Sequence, residues 1–134
     1  MNYTSENRGI IQHRNRRKQI VDFSGLCFGN ITPTDCDGLI EYQNKAYIFF
    51  ELKYRDAKVS HGQLLAFTRI VDDLIKAGKN AVLVIAEHGV DAVAQDIDAA
   101  TCVVRQYYIN QLCHSPKENY LLKDFIQEFI SNIG

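Results

Sequence analysis

Apolar positions along this chain fall into runs of three kinds, and each kind predicts a different element. The run 80–86, Asn-Ala-Val-Leu-Val-Ile-Ala, is continuously apolar after its first residue, as expected of a strand buried on both faces. The stretches 37–42 and 46–54 are rich in aromatic and β-branched residues. Gln43-Asn44-Lys45 between them has turn composition, so the pair reads as a β-hairpin. Helical spacing takes over at Leu64, Phe67, Ile70, Val71, Leu74 and Ile75, which predicts a helix over 61–77, opened by an N-cap at Ser60 and closed by Gly78. A further strand is predicted over 102–109. Beyond it, Ser115-Pro116-Lys117-Glu118 has the form of a capping box and opens a helix to about residue 132, with Leu121, Leu122, Phe125, Ile126, Phe129 and Ile130 as its apolar stripe. That stripe is expected to pack on the sheet or on a second subunit.

Near the start of the chain, Ile10-Ile11 and Ile20-Val21 bracket a basic run at helix-compatible spacing, and a first helix is predicted over 5–21. A brief strand is expected around Leu26-Cys27-Phe28, broken by glycine turns. Segment 55–60 reads as a loop, and 87–100 as an acidic loop with a helical turn. The expected order is therefore helix, three strands, helix, strand, strand, helix. This is an α/β fold with a mixed central sheet flanked by helices, in which strands 46–54 and 80–86 run parallel through a right-handed crossover. No internal repeat or low-complexity segment interrupts it, and 134 residues suit one domain.

Chemistry concentrates in the hairpin. If Gln43-Asn44-Lys45 forms a three-residue loop, Tyr42 faces Ala46, Asp37 stands opposite Glu51, and Asp35 stands opposite Lys53, all four on one face. A two-residue loop would slip the register by one and separate Asp37 from Glu51. The run Ile48-Phe49-Phe50 marks the second strand as central and covered, and an unpaired ion in such a place costs several kcal/mol. Glu51 and Lys53 must then pair with each other, hold a metal, or line a cleft. A plain cross-strand salt bridge on a solvated sheet face is the competing reading.

Asp37, thirteen residues, then Glu51-Leu52-Lys53 resembles the signature of the PD-(D/E)XK nuclease superfamily, whose fold is that of the restriction endonucleases. Pro33-Thr34-Asp35-Cys36-Asp37 stands where that family has Pro-Asp, although Pro33 precedes neither aspartate directly. The likeness covers about residues 31–86. Gln63, four residues before Phe67, resembles the Gln-x-x-x-Tyr element of RecB-type members, with Phe for Tyr. The resemblance implies an αβββαβ core, here with an extra strand and a C-terminal helix. It also implies one or two Mg²⁺ ions, replaceable by Mn²⁺, on Asp37, Glu51 and the carbonyl of Leu52, with Asp35 as a second aspartate. Lys53 would orient the attacking water and Gln63 a water or phosphate oxygen. The family's first-helix acid has only Glu6 or Asp22 as candidates. Small phage-type nucleases and the homodimeric Holliday-junction resolvases are the members it suggests.

Charge supports a nucleic-acid partner. Residues 1–18 hold Arg8, Arg14, Arg16, Arg17 and Lys18 against Glu6, a net of +4, whereas residues 19–134 carry a net of −5. A basic segment ahead of an acidic body fits a phosphate-gripping arm beside a cation-binding centre; a solvated helix face is the plainer alternative. His61 could likewise contact phosphate or simply face solvent. The four cysteines, at 27, 36, 102 and 113, form no Cys-x-x-Cys pair and are expected as reduced thiols. A zinc site from Cys102, Cys113 and His114 would match no usual spacing, and Asp96-x-Asp98 lacks the rest of a calcium loop. With no long apolar run and no apolar leader, a cytoplasmic location away from membranes is expected. Three functions fit these features: a metal-dependent deoxyribonuclease, a nuclease-fold protein without turnover that binds nucleic acid or a protein, and an unrelated α/β enzyme in which Glu51 and Lys53 are a structural pair.

Overall fold

The computed structural model describes residues 21–91 and 95–133, and the chain divides into two compact units, 1–33 and 34–134. The predicted helix over 5–21, with Glu6 and the basic residues Arg8, Arg14, Arg16, Arg17 and Lys18, lies outside the described residues except for Val21, which is in no helix. Among the described residues of the first unit a 3-10 turn spans Ser24–Leu26, with the Asp22 carboxylate accepting a bond from the Ser24 N–H at 2.9 Å. The strand expected around 26–28 does not form. The chain reverses at Gly29, whose φ is +62°, and brings only Phe28 and Ile31 into an isolated antiparallel bridge.

The second unit is a five-stranded mixed sheet with one helix on each face. Its elements are β1 (Gly38–Tyr42), β2 (Ala46–Tyr54), α1 (His61–Lys76), β3 (Asn80–His88), β4 (Val103–Ile109), β5 (Leu112–His114) and α2 (Leu122–Ser131). The strands lie in chain order; β2 and β3 are parallel and every other neighbouring pair is antiparallel. Two strands rather than three precede α1 among the described residues, so the expected αβββαβ order is not reproduced, while the mixed α/β class is.

The β1–β2 turn has three residues. Gln43 and Asn44 adopt φ values of +49° and +56°, Lys45 N–H bonds the Tyr42 carbonyl at 2.8 Å, and Tyr42 pairs with Ala46. Helix α1 starts where Ser60 Oγ accepts the Gln63 N–H at 3.2 Å. It stops at Gly78, whose φ of +87° lets Lys79 N–H reach the Leu74 carbonyl and Gly78 N–H reach that of Ile75, the Schellman arrangement.

Strand β3 explains its own sequence. Ala81 and Leu83 join Phe49, Phe67 and Val71 in the core under α1, whereas Val82, Val84 and Ala86 join Ile48, Cys102, Val104 and Leu122 in the core under α2. Both faces are dry, so the run must be apolar throughout. The buried stripe of α1 is Gln63, Phe67 and Val71; Ile70, expected in it, is 42% exposed.

The C-terminal third differs most from expectation. Asn110 and Gln111, at φ +52° and +64°, form a two-residue hairpin turn into the unforeseen strand β5. The capping box at Ser115 starts no helix. Residues 120–122 are drawn out along β4, with Val104 N–H bonding the Tyr120 carbonyl at 2.7 Å and Leu122 N–H bonding that of Cys102 at 2.8 Å. Those bonds to β4 need an extended backbone, so α2 begins only at Leu122. Its residues Leu122, Phe125, Ile126, Phe129 and Ile130 pack on the sheet.

Candidate active site

The register of β1 against β2 builds the site. Gly38 pairs with Phe50, and the next residue back, Asp37, leaves the ladder beside Glu51. There two bonds between side chain and backbone replace the ladder: Asp37 N–H donates to Glu51 Oε1 at 3.3 Å, and Leu52 N–H donates to Asp37 Oδ2 at 2.8 Å. Because Asp37 takes the Leu52 donor, pairing ends at Gly38, and the expected placement of Asp35 opposite Lys53 does not occur. The Asp35 carbonyl instead accepts Gln63 Nε2 at 3.3 Å. Gly38 leaves room for the Phe50 ring here, since a Cβ would lie 1.9 Å from Phe50 Cζ and the ring would have to shift.

The two-residue period of β2 puts Glu51 and Lys53 on the face of Phe49, which is the α1 face. Phe67 of α1 meets Phe49 with ring centroids 5.7 Å apart, and Gln63 lies one turn earlier on the same stripe. Since α1 returns the chain from the end of β2 to the start of β3, its N-terminus lies at the Glu51 end of the strand. This places Gln63 against the 35–37 segment. The sequence placed Gln63 within reach of the site, and its bond is to the backbone that carries Asp37.

Glu51 is 1% exposed. Burial, and then the charge of Asp37, push its carboxyl up to about 7, with Lys53 opposing only weakly. Lys53 is half-buried and makes no hydrogen bond or ion pair among the described residues. Cys36 Sγ contacts the Gly38 carbonyl at 3.1 Å, and burial raises its thiol above the ordinary range, with the neighbouring carboxylates adding to the rise.

Several groups elsewhere bear on the site or are separate from it. Arg105, an unremarked charge in the otherwise apolar start of β4, reaches the β2–α1 turn: Nη1 bonds the Arg55 carbonyl at 2.8 Å and Nη2 that of Ala57 at 2.9 Å. Its position inside a strand was the available signal, the same one that marks Glu51. His61 is exposed at the first residue of α1 and has no partner among the described residues. All four cysteines are free, with Cys102 buried and Cys113 exposed, and no zinc group assembles from Cys102, Cys113 and His114; the His114 ring stacks on Tyr107. An apolar hollow of about 640 Å³ lies on the α2 side of the sheet, lined by Ile40, Phe50, Leu122, Ile126 and Ile130. It contains none of the carboxylates.

The donor set suits a hard cation. Asp37 and Glu51 offer oxygen ligands, and a buried carboxyl whose proton is retained to about pH 7 lacks the positive partner that a divalent ion would supply. Among the described residues no three His, Cys, Asp or Glu side chains gather into a metal-holding group, so Asp35 does not complete a third acid. The protein's share would be two carboxylates, with backbone carbonyl and water filling the remainder, as Mg²⁺ commonly accepts. No protein-family model, no curated protein and no solved structure matches the chain.

Proposed function

We propose that this protein is a metal-dependent deoxyribonuclease that hydrolyses DNA phosphodiester bonds at the Asp37–Glu51 pair. The observation that carries the reading is the joint placement of two carboxylates and a lysine with no hydrogen bond or ion pair among the described residues at the end of a hairpin, with Glu51 buried and held next to Asp37. Among the described residues no salt bridge joins Lys53 to a carboxylate, which speaks against a purely structural pair.

Asp37 and Glu51, with the Leu52 carbonyl, would hold Mg²⁺ or Mn²⁺. When bound, the ion would supply a Lewis acid that lowers the pKa of water and offsets charge on the phosphoryl oxygens. Lys53 would orient the attacking water and stabilise charge gathering on the phosphate. Gln63 would keep the 35–37 backbone, and so the Asp37 carboxylate, in position. Arg8, Arg14, Arg16, Arg17 and Lys18 would grip phosphates, which makes binding steeply salt-dependent.

A second reading, a nuclease-fold protein that binds nucleic acid without turnover, draws on the lack of a third gathered acid among the described residues. Cleavage of labelled single-stranded, duplex and four-way-junction DNA in Mg²⁺, Mn²⁺ or EDTA, with Glu51→Ala beside the parent protein, separates the two. Metal-dependent cutting lost in the variant supports the nuclease. Salt-sensitive binding with no cutting in either metal moves the binding protein ahead.

A further inference from the structure

Lys53 and Glu87 are ladder partners in the parallel pair β2–β3. An ammonium and a carboxylate on one sheet face, on strands about 4.8 Å apart, would ordinarily join. They do not. Glu87 Oε2 lies 3.9 Å from Arg105 Nη1, and Lys53 has no partner among the described residues.

Arg105 reaches Glu87 through a β-bulge. Ile85 pairs with Gln106 and Ala86 with Val104, so Arg105 is the extra residue of β4 and faces no partner of its own. Its guanidinium also binds the carbonyls of Arg55 and Ala57. These belong to the turn that directly follows the Lys53 strand. In that turn Arg55 sits at φ +47° with its N–H on the His88 carbonyl at 2.8 Å. One cation therefore occupies the space between the turn and the carboxylate best placed to capture Lys53.

We propose that Arg105 is a positioning residue for Lys53: it holds the Glu87 carboxylate and pins the 55–57 turn, so that the Lys53 ammonium stays available to the Asp37–Glu51 pair. The catalytic consequence rests on the nuclease reading; the structural one does not. In Arg105→Gln, Glu87 is released and Lys53 swings to it.

The test is a crystal structure of Arg105→Gln together with its cleavage kinetics. The expected structure has Lys53 Nζ within about 4 Å of the Glu87 carboxylate, the distance of an ion pair. The expected kinetics are a fall in kcat of roughly tenfold or more with KM unchanged, because only the placement of a reacting group is lost. Adding Glu87→Gln to Arg105→Gln removes the competing carboxylate and restores kcat, a rescue that a merely structural role of Arg105 would not show. If Arg105→Gln does not fold, Arg105→Lys retains the charge and is expected to leave Lys53 free and kcat near that of the parent. Lys53 unmoved in Arg105→Gln, no rescue in the double variant, or Lys53 paired with Glu87 in Arg105→Lys would each overturn the proposal. Absence of any cutting by the parent protein overturns the nuclease reading instead, and the position of Lys53 still decides the role of Arg105.

Discussion

Asp37 and Glu51 are joined through the backbone: the N–H of Asp37 donates to the Glu51 carboxylate, while the Asp37 carboxylate accepts the N–H of Leu52, the residue after Glu51. The two acids are thereby locked side by side where the β1–β2 ladder ends. No cation of the described residues bonds to either, and this arrangement has measurable consequences.

The first concerns pH. The Glu51 carboxyl is raised in the folded protein from its ordinary value near 4.5 to about 7, chiefly by burial. Between those values the folded state binds more protons than the unfolded one, so stability falls as pH rises through the window, by up to roughly 3 kcal/mol, and levels off above it. Urea denaturation of metal-free protein from pH 4.5 to 8 is expected to show this decline. Glu51→Gln should remove most of it and should be the more stable protein at pH 8. A variant less stable than the parent at pH 8 would sink the assignment.

Metal binding should reverse the same trend. A divalent ion on Asp37 and Glu51 needs both carboxylates ionised, so binding near pH 7 expels the Glu51 proton. Calorimetry of Mg²⁺ or Mn²⁺ binding in buffers of different ionisation enthalpy is expected to report about half a proton released per ion at pH 7, and close to none at pH 8.5. A proton count that does not change over that range would count against Glu51 as a ligand.

In the proposed nuclease Asp37 has two separable jobs. Asp37→Asn keeps an oxygen to accept the Leu52 N–H and is expected to fold within about 1 kcal/mol of the parent while losing the metal-induced rise in Tm. Asp37→Ala removes that acceptor as well and should cost about 1–2 kcal/mol more. Equal destabilisation by both would mean that the bond to Leu52 contributes nothing.

Lys53 makes no hydrogen bond or ion pair among the described residues. Lys53→Met, which retains the apolar stem, should change stability by less than about 1 kcal/mol and lower cleavage by roughly a hundredfold or more. Cleavage at the parent rate would remove Lys53 from the reaction.

In the proposed nuclease Gln63 is a positioning residue. Gln63→Ala loses its bond to the Asp35 carbonyl and part of the buried stripe of α1, and about 1–2 kcal/mol of stability should go with it. Its effect on cleavage should appear in kcat, and hydrogen exchange at residues 35–38 should quicken while the amides of β3 stay protected. Unchanged exchange at 35–38 would show that the bond does not hold that segment.

The legible part of the fold was the part governed by local rules. Residue periodicity, the Ser60 cap and the Gly78 stop defined α1, and the dry run at 80–86 defined β3 as a covered strand. The three-residue turn carried the register that brings Asp37 to Glu51, because a residue count across a tight turn leaves one solution once the turn length is chosen. Glu51 and Lys53 could be picked out because charge in a covered strand needs a reason, and Asp37 because that register sets it opposite Glu51.

What the sequence could not supply was competition between distant partners. The capping box at Ser115 failed because Tyr120 and Leu122 bond Val104 and Cys102, sixteen and twenty residues back in the chain, in an extended form. Asp35 left the ladder because the Asp37 side chain took the Leu52 N–H and Gln63 took the Asp35 carbonyl. Arg105 came to the turn after Lys53 through a bulge, fifty residues from the carbonyl it binds. Local pattern thus determined which segments became strands and helices and which charges were out of place among them. Only the assembled sheet decided which of those charges meet, because a hydrogen-bonding group goes to whichever partner the packed backbone brings within reach.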